Sequence, residues 1–100
     1  MFLEYADIQI TPGKQAEFDR AIQHGLETVL SKSPGYRGHK VHKGVESPDR
    51  YLLCVYWERL EDHTIGFRES MLFTQWRTIV GPFFAKPPLV EHFTLVCETK

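Results

Sequence analysis

The chain has 100 residues, 42% of them hydrophobic and 13% aromatic, enough for one domain with its own core. Its 12 basic and 13 acidic residues are interleaved and leave a net charge of −1, which lacks the basic footprint of a nucleic-acid binder. No apolar run approaches the ~18 residues of a membrane span, and Glu4 and Asp7 interrupt the stretch a signal peptide would need. A cytoplasmic single domain over residues 1–100 is expected, with no nucleic-acid or membrane partner.

Phe2–Ile10 alternates as a strand, with Phe2, Ala6, Ile8 and Ile10 on one face and Leu3, Tyr5, Asp7 and Gln9 on the other. Both faces carry apolar or aromatic residues, so neither reads as simply solvated. Thr11-Pro12-Gly13 ends the strand, with Thr11 placed to cap a helix and Pro12 to sit at its first position. From Lys14 to about Ser31, Phe18, Ile22, Gly25, Leu26, Val29 and Leu30 form one apolar stripe, as on a helix lying across a sheet. His24 falls on the polar flank. Ser33-Pro34-Gly35 is the stop.

Tyr36–Glu46, rich in Lys and His, reads as a second strand near a sheet edge, and Glu46-Ser47-Pro48-Asp49 as a turn. Tyr51–Trp57 is nearly continuous apolar sequence, the pattern of a central strand covered on both faces. Leu60–Phe67 fits a short helix. Ser70 opens another, with Leu72, Phe73, Trp76, Ile79 and Val80 as its stripe. Gly81-Pro82 ends it, and Leu89–Cys97 closes the chain as a fourth strand.

The order βαββαβ predicts an α+β, ferredoxin-like sandwich. Its four-stranded antiparallel sheet has both helices on one face and the first strand between the third and fourth. The opposite face then shows Leu, Tyr, Val or Phe from several strands, more apolar surface than a monomer usually leaves in water. A homodimer through that sheet face is expected. Cys54 and Cys97, both in apolar stretches, read as small buried hydrophobes on strands about 9–10 Å apart, beyond the ~7 Å limit for a disulfide.

His63 is the first candidate for chemistry. At helical spacing it shares the inward face with Leu60 and Phe67. It is then either an imidazole able to exchange a proton near neutral pH or a core-edge His bonded to a neighbouring carbonyl or carboxylate. Trp57 closes the alternation Tyr51, Leu53, Val55, Trp57, and is either an aromatic wall for a flat ligand or plain core. Phe67 and Trp76 carry the same two readings. Asp7 is an interface residue or a buried acid, depending on which face of the first strand meets the helices. Arg68 and Arg77 are either solvated or placed to neutralise an anionic or phenolate ligand. His39 and His42 point to opposite faces and His92 stands alone, so no metal site is expected. No dinucleotide, phosphate-loop or nucleophile-elbow motif is present, and no cofactor is expected.

The segments SPGYRGHKVHKG, RYLLCVYWERLEDH, GFRESMLFTQWR and GPFFAKPPLVEHF together resemble the antibiotic biosynthesis monooxygenase domain family. The resemblance runs from about residue 2 to residue 96. It is strongest at Pro34-Gly35-Tyr36, at Trp57-Glu58 followed by His63, and at the run Phe67, Ser70, Phe73. It implies a ferredoxin-like fold paired into a dimeric α/β barrel. It also implies oxidation of an aromatic or phenolic small molecule by O₂ without metal or flavin. His63 would be the candidate base. Trp57, Phe67, Trp76, Asp7 and Arg68 are the candidate substrate contacts. The haem-degrading branch uses an Asn on the first strand and a Trp and His on the second helical region. Ala6 or Asp7, Gly66 or Phe67, and the neighbourhood of Arg77 do not supply that set, so haem degradation is disfavoured. The alternative function is a non-catalytic dimeric module that binds a small ligand.

Overall fold

The computed structural model describes all residues from Met1 to Lys100. Strand β1 (Phe2–Gln9) leads into helix α1 (Gln15–Thr28), followed by a 3₁₀ turn at Leu30–Lys32, strand β2 (Tyr36–Lys43) and strand β3 (Arg50–Trp57). A π-helical segment, Asp62–Phe67, precedes helix α2 (Met71–Val80), and strand β4 (Leu89–Phe93) ends the ordered elements. The strands lie in the order β2-β3-β1-β4, all antiparallel. This is the ferredoxin-like α+β sandwich, with both helices on one face and β1 between β3 and β4.

Directly paired residues of an antiparallel sheet point to the same face, so the register assigns the two sides. Glu4, Ala6 and Ile8 pair with Val55, Leu53 and Tyr51 and face the helices. There the core closes over Phe18, Ile22 and Leu26 of α1 and Trp76 and Val80 of α2. Helix α1 buries the stripe expected of it, and His24 is exposed. Gly25 lets the helices approach, since a Cβ there would meet the Trp76 ring at 3.1 Å.

Several boundaries differ from the sequence expectation. Helix α1 begins at Gln15 with Lys14 at its N-cap and no side-chain cap, so Thr11 and Pro12 lie ahead of the helix, where Thr11 gives its backbone N–H to Phe83 O at 2.9 Å. That bond and the Ile10–Phe84 bridge tie the end of β1 to the loop before β4, and Gly13 turns the chain at φ +85°. Strand β2 ends at Lys43, because Gly44 N–H reaches Arg50 O across the turn. Strand β4 ends at Phe93, not Cys97. Cys97 is consequently exposed, correcting its assignment to the interior, while Cys54 is buried; both are free thiols. Central strand β3 is sealed on the helix side, where Val55 and Trp57 are fully buried. On its other side Leu52 and Tyr56 are only half-buried, so the chain alone does not cover both faces.

Candidate active site

Glu4 is the acid that faces the helices. It lies on β1 between Phe2 and Ala6, and its cross-strand neighbours are Val55 on β3 and His92 on β4. Only 5% of its surface is exposed. The Trp57 indole N–H donates to Glu4 Oε1 at 3.0 Å, and His63 Nε2 stands 3.3 Å from the same oxygen.

His63 reaches this position through the π-helical segment. Arg68 N–H bonds to His63 O, five residues back, at 3.2 Å, so the turn widens. His63 and Phe67, four residues apart, are both buried, with ring centroids 6.2 Å apart. Such wide turns recur at functional sites. The segment is anchored by Asp62, whose carboxylate accepts from Arg59 N–H at 2.9 Å. It packs against Gly35, whose φ of +89° and missing side chain leave room for that carboxylate.

The imidazole of His63 is held on three sides. It stacks on Trp57 with centroids 5.3 Å apart and planes 15° apart, and packs against Phe67. Its Nδ1 lies 2.7 Å from His92 Nε2. His92 therefore does not stand alone on the last strand; strand alternation sets it beside Glu4. His63 turns one nitrogen to Glu4 and hydrogen-bonds His92 through the other, so the three groups line up as a row of polar contacts and not a chelate. No cluster of three His, Cys, Asp or Glu side chains is arranged around a metal position.

Burial dominates the electrostatics. It pushes the Glu4 carboxyl up to about 7, against the opposing effects of the Trp57 hydrogen bond and the nearby Arg68 charge. Burial also pushes His63 down to about 3, helped by Arg68 and His92. His92 is lowered too, by burial and then by Arg68. At neutral pH both imidazoles are neutral and Glu4 is poised between acid and carboxylate.

Glu4 and His63 open onto a cavity of about 630 Å³ between sheet and helices, within the usual size of a small-molecule site. Ala6, Ile8 and Leu53 form its floor, Phe67, Phe73 and Trp76 its helix side, and Phe84, Pro88 and Val90 its far wall. Arg68, Arg77 and Lys86 also line it.

Of the residues singled out from sequence, His63, Phe67, Trp76, Arg68 and Arg77 therefore meet at one cavity. Trp57 does not line it; the ring lies behind, fully buried, orienting His63 and Glu4. Asp7 lies on the opposite face of β1, where Arg50 Nε and Nη2 donate to its two carboxylate oxygens at 3.0 and 2.7 Å. The face left open from sequence is thus the uncovered one, and Asp7 is remote from the cavity. Neither Glu4 nor His92 is among the site residues expected from sequence, where His92 stands alone, although Glu4 shares the parity of Phe2, Ala6 and Ile8 and His92 that of Val90.

The model of the antibiotic biosynthesis monooxygenase family matches residues 1–79. The protein YczJ of Bacillus subtilis strain 168 is 39% identical over 93 residues, covering 93% of this chain and 97% of YczJ. A Bordetella bronchiseptica structure bearing the family's name superposes with a TM-score of 0.90 at 35% identity, covering 96% of this chain and 97% of that one. A Streptomyces coelicolor monooxygenase, ActVA-Orf6, solved with nanaomycin D, shares the fold with a TM-score of 0.82 at 15% identity, over 99% of this chain and 90% of that one. The match across most of the chain, and relatives of nearly equal length, establish that this protein belongs to the antibiotic biosynthesis monooxygenase family.

Proposed function

We propose that the protein is a cofactor-independent monooxygenase that oxidises an aromatic or phenolic small molecule with O₂ in the cytoplasm. The observation that carries this reading is the Glu4–His63 pair, buried at one wall of an apolar cavity. Trp57 and His63 occupy Glu4 Oε1, leaving the other carboxylate oxygen to take a proton. A base whose pKa lies near the working pH is the effective kind, and burial supplies that here. Once deprotonated at an activated CH₂, an electron-rich ring system reduces O₂ itself. The carbanion and O₂ form a C–O bond, and Glu4 returns its proton to give a hydroperoxide. Loss of the remaining C–H proton with cleavage of the O–O bond leaves a carbonyl and one water. The apolar walls exclude solvent from the carbanion, and Arg68 offsets its charge.

The reading includes a homodimer. Leu3 has Tyr56 and Phe93 as its cross-strand neighbours on the uncovered face, joined by Leu52, with Phe93 47% exposed. A second copy placed sheet to sheet would cover them and complete an α/β barrel.

Oxygen uptake with a panel of anthrones and hydroquinones tests the activity. Uptake is expected with at least one substrate and is lost in Glu4→Gln, which keeps the side-chain shape, and in His63→Ala. If no oxygen is consumed while one of these compounds still raises the melting temperature, the oxygenase reading fails and a ligand-binding module takes its place.

A further inference from the structure

The charges around the cavity are unbalanced. Lys14, Arg37, Lys43, Arg50 and Arg59 each have a carboxylate partner within the chain. Of the cations without such a partner, Arg20, Lys32, Lys40 and Lys100 lie away from the cavity, whereas Arg68, Arg77 and Lys86 all line it. They come from three elements: the end of the π-helical segment, the last turn of α2, and the loop before β4. The only carboxyl in the lining is Glu4, deep on the sheet side and already engaged by Trp57 and His63. A second groove, of about 440 Å³, shows the contrast. There Asp19 accepts from both Lys43 and Tyr51, so its charge is satisfied internally.

The cationic rim is also held in place. Ala85 N–H donates to Gln9 O at 2.8 Å, and Pro87 and Pro88 restrict the backbone directly after Lys86. Asp7 is the acid whose pKa Lys86 helps to lower, but Arg50 already grips both of its oxygens. Arg77 lies across the Phe73 ring, its guanidinium carbon 5.8 Å from the centroid, which presents the charge beside an apolar wall. Glu4 and Gln9 are separated by five strand residues, roughly 17 Å at ~3.3 Å per residue. The cavity is therefore polarised along its length. Glu4, His63 and Arg68 occupy one end, and Arg77 and Lys86 the other, where α2 runs into the loop before β4.

From this arrangement we infer that the cavity is built for an aromatic acid, a fused-ring compound carrying a carboxylate that Arg77 and Lys86 hold while the rings extend over the apolar floor toward Glu4. The inference deepens the proposed function and rests on its reading of the cavity as the substrate site. Planar guanidinium favours a carboxylate in two-point contact, and the lysine adds a second charge. Discrimination against a neutral ring follows, because neither Arg77 nor Lys86 has a carboxylate of the chain at ion-pair distance.

Binding separates the inference from turnover. Anthraquinone-2-carboxylate and 2-(hydroxymethyl)anthraquinone have nearly the same shape, and neither has the activated CH₂ needed for reaction. Calorimetry at low salt is expected to show the carboxylate binding at least about tenfold more tightly. The double variant Arg77→Gln/Lys86→Gln, altered only at exposed positions, should lose that advantage and keep its affinity for the alcohol. Equal binding of the two compounds by the native protein overturns the inference and leaves the oxygenase reading standing. So does equal weakening of both by the double variant. Failure of the carboxylate to bind overturns the inference, and failure of both compounds overturns the assignment of the cavity with it.

Discussion

Glu4 and His92 are direct cross-strand partners on the helix-facing side of the sheet, and His63 lies against both. The result is a chain of three titratable groups running from a cavity wall to the edge strand. Its inner members have pKa values displaced in opposite directions, so that Glu4 carries the proton His63 would otherwise hold.

That displacement shows in the pH dependence of stability. Glu4, raised from 4.5 to about 7, favours the folded state below pH 4.5, and its contribution is lost as pH rises through 7. His63, lowered from 6.5 to about 3, has the opposite sign: its contribution is full above pH 6.5 and is lost as pH falls toward 3. Between pH 4.5 and 6.5 folded and unfolded states bind the same number of protons at this pair, so its contribution is flat there. In Glu4→Gln only the His63 dependence remains, and stability should rise across that window with a slope approaching ~1.4 kcal/mol per pH unit. Urea unfolding of both proteins from pH 4 to 7 checks this.

Trp57 acts through Glu4. Replacing it with Phe keeps an aromatic ring beside His63 and removes the only indole donor to the carboxyl. Since that bond holds the Glu4 pKa down, Trp57→Phe should move it higher still, as read by carbon NMR titration of the side chain. The loss of one buried donor should also cost about 1–3 kcal/mol.

Gly35 supports the site from outside the cavity. An alanine Cβ there would overlap the Asp62 carboxyl group, at a backbone angle that L-residues rarely adopt. Gly35→Ala should therefore lower stability by about 2 kcal/mol or more. It should also disturb the His63 imidazole resonances, because Asp62 begins the π-helical segment. Unchanged His63 resonances would show that this anchor is dispensable.

The uncovered sheet face predicts an oligomeric state. Tyr56→Asp places a charge among Leu3, Leu52 and Phe93 without touching the helix side. Light scattering is expected to give a dimer for the native protein and a monomer for the variant, with the helical circular dichroism signal retained. A native monomer at high micromolar concentration would remove the dimer from the proposed function.

Alternation and helical spacing in the sequence determined the element order, the sheet topology and the inward turn of His63, because a strand or helix with one apolar side has one way to bury it. The same regularity placed Glu4 on the buried parity of β1 and His92 on that of β4. Only the tertiary structure decided that these two meet, since pairing of β1 with β4 joins residues 88 positions apart in sequence. It also decided the face of Asp7, the place of Trp57 behind the imidazole, and the convergence of Arg68, Arg77 and Lys86 on one cavity. Local pattern records whether a side chain points in or out. What it meets there depends on contacts between distant segments.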